Sequence, residues 1–263
     1  LIAAKQKNIK IIDRAQLLGK IMEDYPHSIA VAGTHGKTTT TGMVSDILIY
    51  ARKDPTITVG GILPTIDSNT KVGASSYFVA EACEYFDSFL QFYPFVGIIL
   101  NIEADHLDYF KSLENIRASF HRFASHIPAK GTLVIHNEIP HLEELLEDIP
   151  CHIETFGLKG RANWTAENID HDINGKNSFD VYHNGAFLGR VTLYVPGEHN
   201  ITNALSAFAA AYALSLPAEH IIKGLEQFRG TERRFQKKGE KDGILVIDDY
   251  AHHPTEIKAT LSA

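Results

Sequence analysis

Seven residues, Gly33-Thr34-His35-Gly36-Lys37-Thr38-Thr39, combine the residue types that hold a polyphosphate. Glycine leaves backbone N–H groups free to approach phosphate oxygens, and a helix that starts at such a turn offers its positive end to the anion. The Lys37 ammonium can reach the outer phosphates, and the Thr38 hydroxyl can ligate Mg²⁺. The general phosphate loop has four residues between its glycines. Here two residues separate Gly33 from Gly36, so the loop is a compact variant.

Other candidate groups follow apolar runs. Glu81 comes directly after Tyr77–Ala80, where a carboxylate offers Mg²⁺ a hard oxygen; a solvated acid at a strand end is also common. Asn101 to Asp108 (NIEADHLD) follows Val96–Leu100, and Asp105-His106 suits a metal or a substrate, although strand-to-loop junctions are polar in any case. Asn200 and Asn203 stand one turn apart at the mouth of a helix. Both amides can face a bound base, or Asn200 can cap the helix. Asp248-Asp249 follows Ile244–Ile247 and suits ribose hydroxyls or a metal, while His252-His253 lack the spacing of structural zinc ligands. Arg233 and Arg234 read either as a solvated basic pair or as cations that stabilise a transferring phosphoryl group.

The elements that must position these groups are short buried strands alternating with helices. Ser28–Ala32 runs straight into Gly33, and from Thr38 the residues Met43, Val44, Ile47, Leu48 and Ala51 recur at helical spacing. Further strands are expected at Ile57–Gly60, Tyr77–Ala80, Val96–Leu100 and Thr132–His136, with a helix over Ser112–Ile127. Strands that are apolar on both faces predict a parallel sheet covered by helices on each side. After Cys151 the pattern becomes alternating: His152–Phe156, Asn163–Ile169, Phe179–His183 and Gly189–Val195, with Asn174-Gly175 and Asn184-Gly185 as turns. This predicts a small antiparallel sheet appended to the parallel one. Ile9–Ile12 is a strand candidate, Gln16–Glu23 a helix, Ile201 to Tyr212 a second amphipathic helix and Ile244–Ile247 a last buried strand. The fold class is therefore α/β, a phosphate-loop parallel sheet between helices.

Composition agrees with such a domain. The 263 residues are 44% hydrophobic and 22% charged, and the net charge of −7 argues against a sequence-independent nucleic-acid binder. Cys83 and Cys151 lie far apart and form no metal-type pair, which points to a reducing compartment, the cytoplasm. No apolar run reaches membrane-spanning length, so no membrane insertion is expected. Leu1 stands where Met would begin a chain, and the helix opened by Pro254 stops at Ala263, so the chain reads as a fragment of a longer protein.

Taken together and in order, these blocks resemble the Mur ligase family, the ATP-dependent enzymes that build the peptide of bacterial peptidoglycan. The loop Gly33–Thr39 matches the family's G-T-x-G-K-[ST] pattern; Glu81 to Glu84, Asn101 to Asp108 and His199 to Asn203 match further blocks. The wording GTHGKTTTT, EACEYFDSFL and DDYAHHPTEIKATL is most similar to members that join L-alanine to UDP-N-acetylmuramate. The resemblance implies ATP and Mg²⁺ as cofactors, with Gly33, Thr34, His35, Gly36, Lys37, Thr38 and Thr39 around the phosphates. It implies Thr38, Glu81 and His106 as metal ligands, Asn200 and Asn203 at the adenine and Asp249 at the ribose. It also implies Lys37, His106 and Arg234 in catalysis, with Arg233 as the alternative to Arg234. The expected division is 1–25 as the tail of a UDP-sugar domain, 26–248 as the central ATP-binding domain and 249–263 as the start of a third domain. Cys83 stands where many of these ligases have Asp, and Ser112–Ser125 contains no lysine of the kind that several sister ligases carbamylate; Lys111 is not carried over. The implied reaction activates a carboxylate as an acyl phosphate, which an amine then attacks. A sister ligase acting on whole peptides, a folylpolyglutamate synthetase-like enzyme and a non-ligase phosphate-loop NTPase remain alternatives.

Overall fold

A computed structural model describes residues 1–172 and 175–263. The helices are α1 (Ile2–Gln6), α2 (Arg14–Met22), α3 (Lys37–Tyr50), α4 (Leu107–Phe110), α5 (Leu113–Ser125), α6 (Leu142–Leu145), α7 (Glu198–Ala213), α8 (Ala218–Gln227) and α9 (Pro254–Ser262). The strands are β1 (His27–Ala32), β2 (Thr56–Leu63), β3 (Ser68–Lys71), β4 (Tyr77–Glu81), β5 (Val96–Ile99), β6 (Thr132–His136), β7 (His152–Phe156), β8 (Trp164–His171), β9 (Asn177–His183) and β10 (Ala186–Leu193). They form one sheet in the order β10-β9-β8-β7-β6-β5-β1-β4-β2-β3. A separate hairpin pairs β11 (Gln236–Lys241) with β12 (Ile244–Asp248).

From β2 across to β7 the pairing is parallel. Side chains alternate across these strands, and both faces are dry. Ile29, Val31, Val79 and Ile98 face the layer of α3, α7 and α8. Ala30, Ala32, Ala80 and Ile99 face the layer that holds Phe120 and Phe123 of α5. This double burial is why these strands read as continuous apolar runs. The chain order reverses around β1, whose neighbours are β4 and β5. Val31 stands opposite Glu81, and Ala32 opposite Ile99, so three strands end level and send Gly33, Glu81 and Asn101 to one rim.

Several expectations need adjustment. The antiparallel strands β8, β9 and β10 extend the same sheet, and β7, grouped with them by its alternation, pairs parallel to β6. Asn184 and Gly185, with φ of 49° and 79°, make the expected turn between β9 and β10. Asn174 lies outside the described residues. Ile9–Ile12 is not a strand; its isoleucines are exposed and, among the described residues, no strand pairs its backbone. Ile244–Ile247 is a strand, but an exposed one, because a two-stranded hairpin has no second layer to cover it. The strands β3 and β11 escape sequence reading because SNTK and QKKGEK carry no apolar alternation.

Candidate functional site

The turn after β1 is built for close backbone approach. Gly36 precedes α3 with φ of 82°, a conformation costly for a side chain, and an added Cβ would lie 2.9 Å from Asn203 Oδ1. The first amides of α3 therefore face open space at the rim, the arrangement that binds anions.

Lys37 folds back over the loop. Its ammonium donates to the carbonyls of Gly33 and Thr34 and to the Glu84 carboxylate, the last at 2.9 Å. Glu84 is 2% exposed, so this pair is largely shielded from water. Glu84 lies inside a block singled out from sequence, yet only the turn after β4 reveals its partner.

Thr38 and Glu81 meet at the rim: the Thr38 hydroxyl donates to Glu81 Oε2 at 2.9 Å. The Gly60 N–H donates to the same oxygen at 2.7 Å. A Cβ at Gly60 would stand 2.6 Å from it, so only glycine leaves the carboxylate its place. His106 opens α4 with φ of 51° and stacks on Tyr85 at 4.2 Å; the Tyr85 hydroxyl in turn donates to Asp108 at 2.6 Å. That bond holds the Asp108 carboxyl below its ordinary range and raises the Tyr85 phenol. Among the described residues no three His, Cys, Asp or Glu side chains converge as a cage. The Thr38 hydroxyl and Glu81 carboxylate instead offer the hard oxygens that suit a Mg²⁺ keeping water and taking phosphate oxygens, and His106 borders the same cavity.

His35 is fixed from both ring nitrogens. Asn101 Oδ1 accepts from the His35 backbone N–H at 2.9 Å, and its amide donates to the ring Nδ1 at 3.0 Å. This network assigns the proton to Nε2, which donates to Glu103 at 2.8 Å. Burial pushes the Glu103 carboxyl up, but bonds from His35 and Thr255 outweigh it and leave the group below its ordinary range.

Two cavities flank the loop. The first, about 380 Å³, is lined by Thr39, Asn200, Asn203, Asp249 and one side of α9. The second, about 440 Å³, is lined by Thr34, Lys37, Thr38, Glu81, His106 and Arg233. His35, Gly36, Arg234 and Glu256 border both, while Gly33 underlies the turn and borders neither. The candidate metal groups and Lys37 thus collect in the second cavity, the candidate base and ribose groups in the first beside Thr39, with the rest of the loop between them.

Asn200 is no cap: Gly197 precedes α7, and the buried Asn200 amide donates to Pro196 O at 2.6 Å. Its Oδ1 accepts from Asn203 at 3.2 Å. Asp249 accepts from the Phe235 and Ala251 N–H groups, both at 2.7 Å, so it also ties the chain after β12 to the loop before β11. Arg234 pairs with Glu256 of α9 at 3.2 Å, and Arg233 lies over the Tyr250 ring. His136, at the end of β6, lines the first cavity, and burial lowers its pKa, favouring a neutral ring.

A glycine turn joining a central parallel strand to a helix, with a carboxylate on the next strand, defines the phosphate-loop class of α/β domain. The Mur ligase middle domain model matches residues 31–211, and the model described as Mur ligase, glutamate ligase domain matches residues 233–263. The chain belongs to the Mur ligase family. It is 52% identical, over 99% of its length and 57% of the relative, to UDP-N-acetylmuramate–L-alanine ligase of Agathobacter rectalis. It is 51% identical, over its whole length and 56% of the relative, to the ligase of the same name of Acetivibrio thermocellus. The solved UDP-N-acetylmuramate-alanine ligase of Thermotoga maritima superposes with a TM-score of 0.85 at 32% identity, covering 99% of this chain and 59% of that one. The chain therefore spans a little over half the length of the relatives it matches.

Proposed function

We propose that this chain is the ATP-binding part of a ligase that joins L-alanine to UDP-N-acetylmuramate in peptidoglycan synthesis. The names of the relatives and the identities near 50% along the whole chain support that reaction. The observation that carries the nucleotide reading is Thr38 Oγ1 at 2.9 Å from Glu81 Oε2, at the mouth of a glycine turn with Lys37 beside it.

In this reading the phosphates lie in the second cavity, against the first amides of α3, and the adenosine in the first cavity, against Asn200, Asn203 and Asp249. Thr38, Glu81 and His106 hold a Mg²⁺, which when bound neutralises charge on the phosphate oxygens. Lys37 and Arg234 flank the transferring phosphoryl group as fixed cations. Phosphorylation of the substrate carboxylate replaces an oxide with a better leaving group, and the alanine amine then displaces phosphate. Residues 26–248 form the ATP-binding unit, between the tail of a sugar-nucleotide domain at 1–25 and the entry to a further domain at 249–263. Two unpaired cysteines suit a reducing, cytoplasmic setting, and no helix among the described residues is long and apolar enough to cross a membrane.

Titration calorimetry with ATP and Mg²⁺ tests the site: the chain binds weakly, and Lys37→Ala loses the heat. Normal binding by that variant overturns the loop assignment. In the longer protein, supplying alanine, a tripeptide or glutamate as acceptor separates the alanine ligase from its sisters.

A further inference from the structure

Glu103 stands where three separately positioned segments meet. Its backbone N–H donates to Thr34 Oγ1 at 2.9 Å, and one carboxylate oxygen accepts from His35 Nε2 at 2.8 Å. Its other carboxylate oxygen accepts from Thr255 Oγ1 at 2.8 Å and lies 3.6 Å from His253 Nδ1. The loop and the start of α9 thus grip opposite sides of one side chain.

The position of α9 matters because Thr255, Glu256, Ala259 and Thr260 form a wall of the first cavity. Yet α9 has no buried residue, so apolar packing holds it weakly. Among the described residues, two polar links secure it instead, Glu103 to Thr255 and Arg234 to Glu256, the latter at 3.2 Å. Only the first of these runs directly to the phosphate loop, through His35. A carboxylate suits the place because each oxygen accepts independently, one per partner.

We propose that Glu103 is a positioning residue that couples the phosphate loop to the docking of α9, so that filling the first cavity and seating its wall stabilise each other. The effect on the nucleotide rests on the function proposed above; the loop-to-helix coupling is a property of the unliganded chain. By linkage the coupling is reciprocal: whatever frees α9 loosens the loop, and whatever orders the loop secures α9.

Amide hydrogen exchange on the whole 263-residue chain tests this. Thr255→Val removes a hydroxyl that bonds Glu103, yet it should speed exchange at residues 34–37 about three- to tenfold without ligand, the loss expected of one such bond. Mg²⁺-ADP at saturation should slow exchange along 255–260 in the natural sequence. Glu103→Ala should abolish that slowing, and Glu103→Gln, which keeps an acceptor for His35, should restore part of it. Loop amides at unchanged rates in T255V, or equal ADP protection of α9 in E103A, overturn the coupling. Failure of the natural chain to bind ADP counts against the nucleotide reading instead, and the ligand-free T255V comparison still decides the coupling. T255V also serves should E103A fold poorly.

Discussion

Lys37 has three ammonium protons, and Gly33 O, Thr34 O and Glu84 take them all. A phosphate oxygen must displace one of these acceptors, and the loop carbonyls are the weaker competitors because Glu84 carries the charge. Glu84 thereby keeps the cation at the mouth of the loop. Glu84→Ala leaves a partly buried ammonium without its counter-ion and should cost about 3 kcal/mol in urea denaturation. Replacing Lys37 and Glu84 together by Met should recover most of that stability while nucleotide binding stays lost; a double variant no more stable than E84A would count against the pairing. Gly60 offers a second test at this scale. Gly60→Ala forces Glu81 Oε2 away from a Cβ that would stand 2.6 Å off. Turnover of the longer enzyme should fall at least about tenfold, with little change in melting temperature.

Among the elements, α3 serves both site and core. Its first turn faces the loop, and its later turns bury Met43, Val44, Ile47 and Leu48. It also buries Asp46, whose oxygens make no hydrogen bond of ordinary geometry although Thr65 and Arg229 lie near enough to ease the charge. Burial raises this carboxyl to about 6 from 3.8. The folded state then binds its proton more tightly than the unfolded state, so stability from this group falls as pH rises from 3.8 to about 6 and levels off above. The cost at neutral pH is about 3 kcal/mol. Asp46→Asn should therefore raise the melting temperature at pH 7 and lose its advantage near pH 4; an equal gain at both pH values would show that desolvation of the charge is not the cause.

At the scale of the molecule, the sheet carries an apolar core on each face and α9 hangs outside both. Removing 249–263 deletes a wall of the first cavity but no fully buried side chain. The shortened chain should keep its circular dichroism and most of its unfolding enthalpy, while its affinity for Mg²⁺-ADP drops about tenfold or more. Unchanged affinity would move the nucleotide away from that cavity. The exposed Ile244, Leu245, Val246 and Ile247 sit in the same outlying region, so this hairpin is another part of the chain that the main core does not hold.

Local chemistry made much of this legible before any coordinates. Glycine, lysine and threonine at short spacing after an apolar strand have few other uses, and strands buried on both faces announce themselves as unbroken apolar runs. Strands that bury no side chain of their own, such as β3 and β11, left no such trace, and Ile244–Ile247 looked buried because apolarity alone does not say what covers it. The grouping of Thr38 with Glu81, of Lys37 with Glu84, of His35 with Glu103 and of Glu103 with Thr255 joins residues 43, 47, 68 and 152 positions apart. Such pairs depend on which strands lie side by side. Hydrogen bonds between parallel neighbours are made by backbone groups common to all residues, so the order around β1 is a property of the packed sheet and not of any one segment.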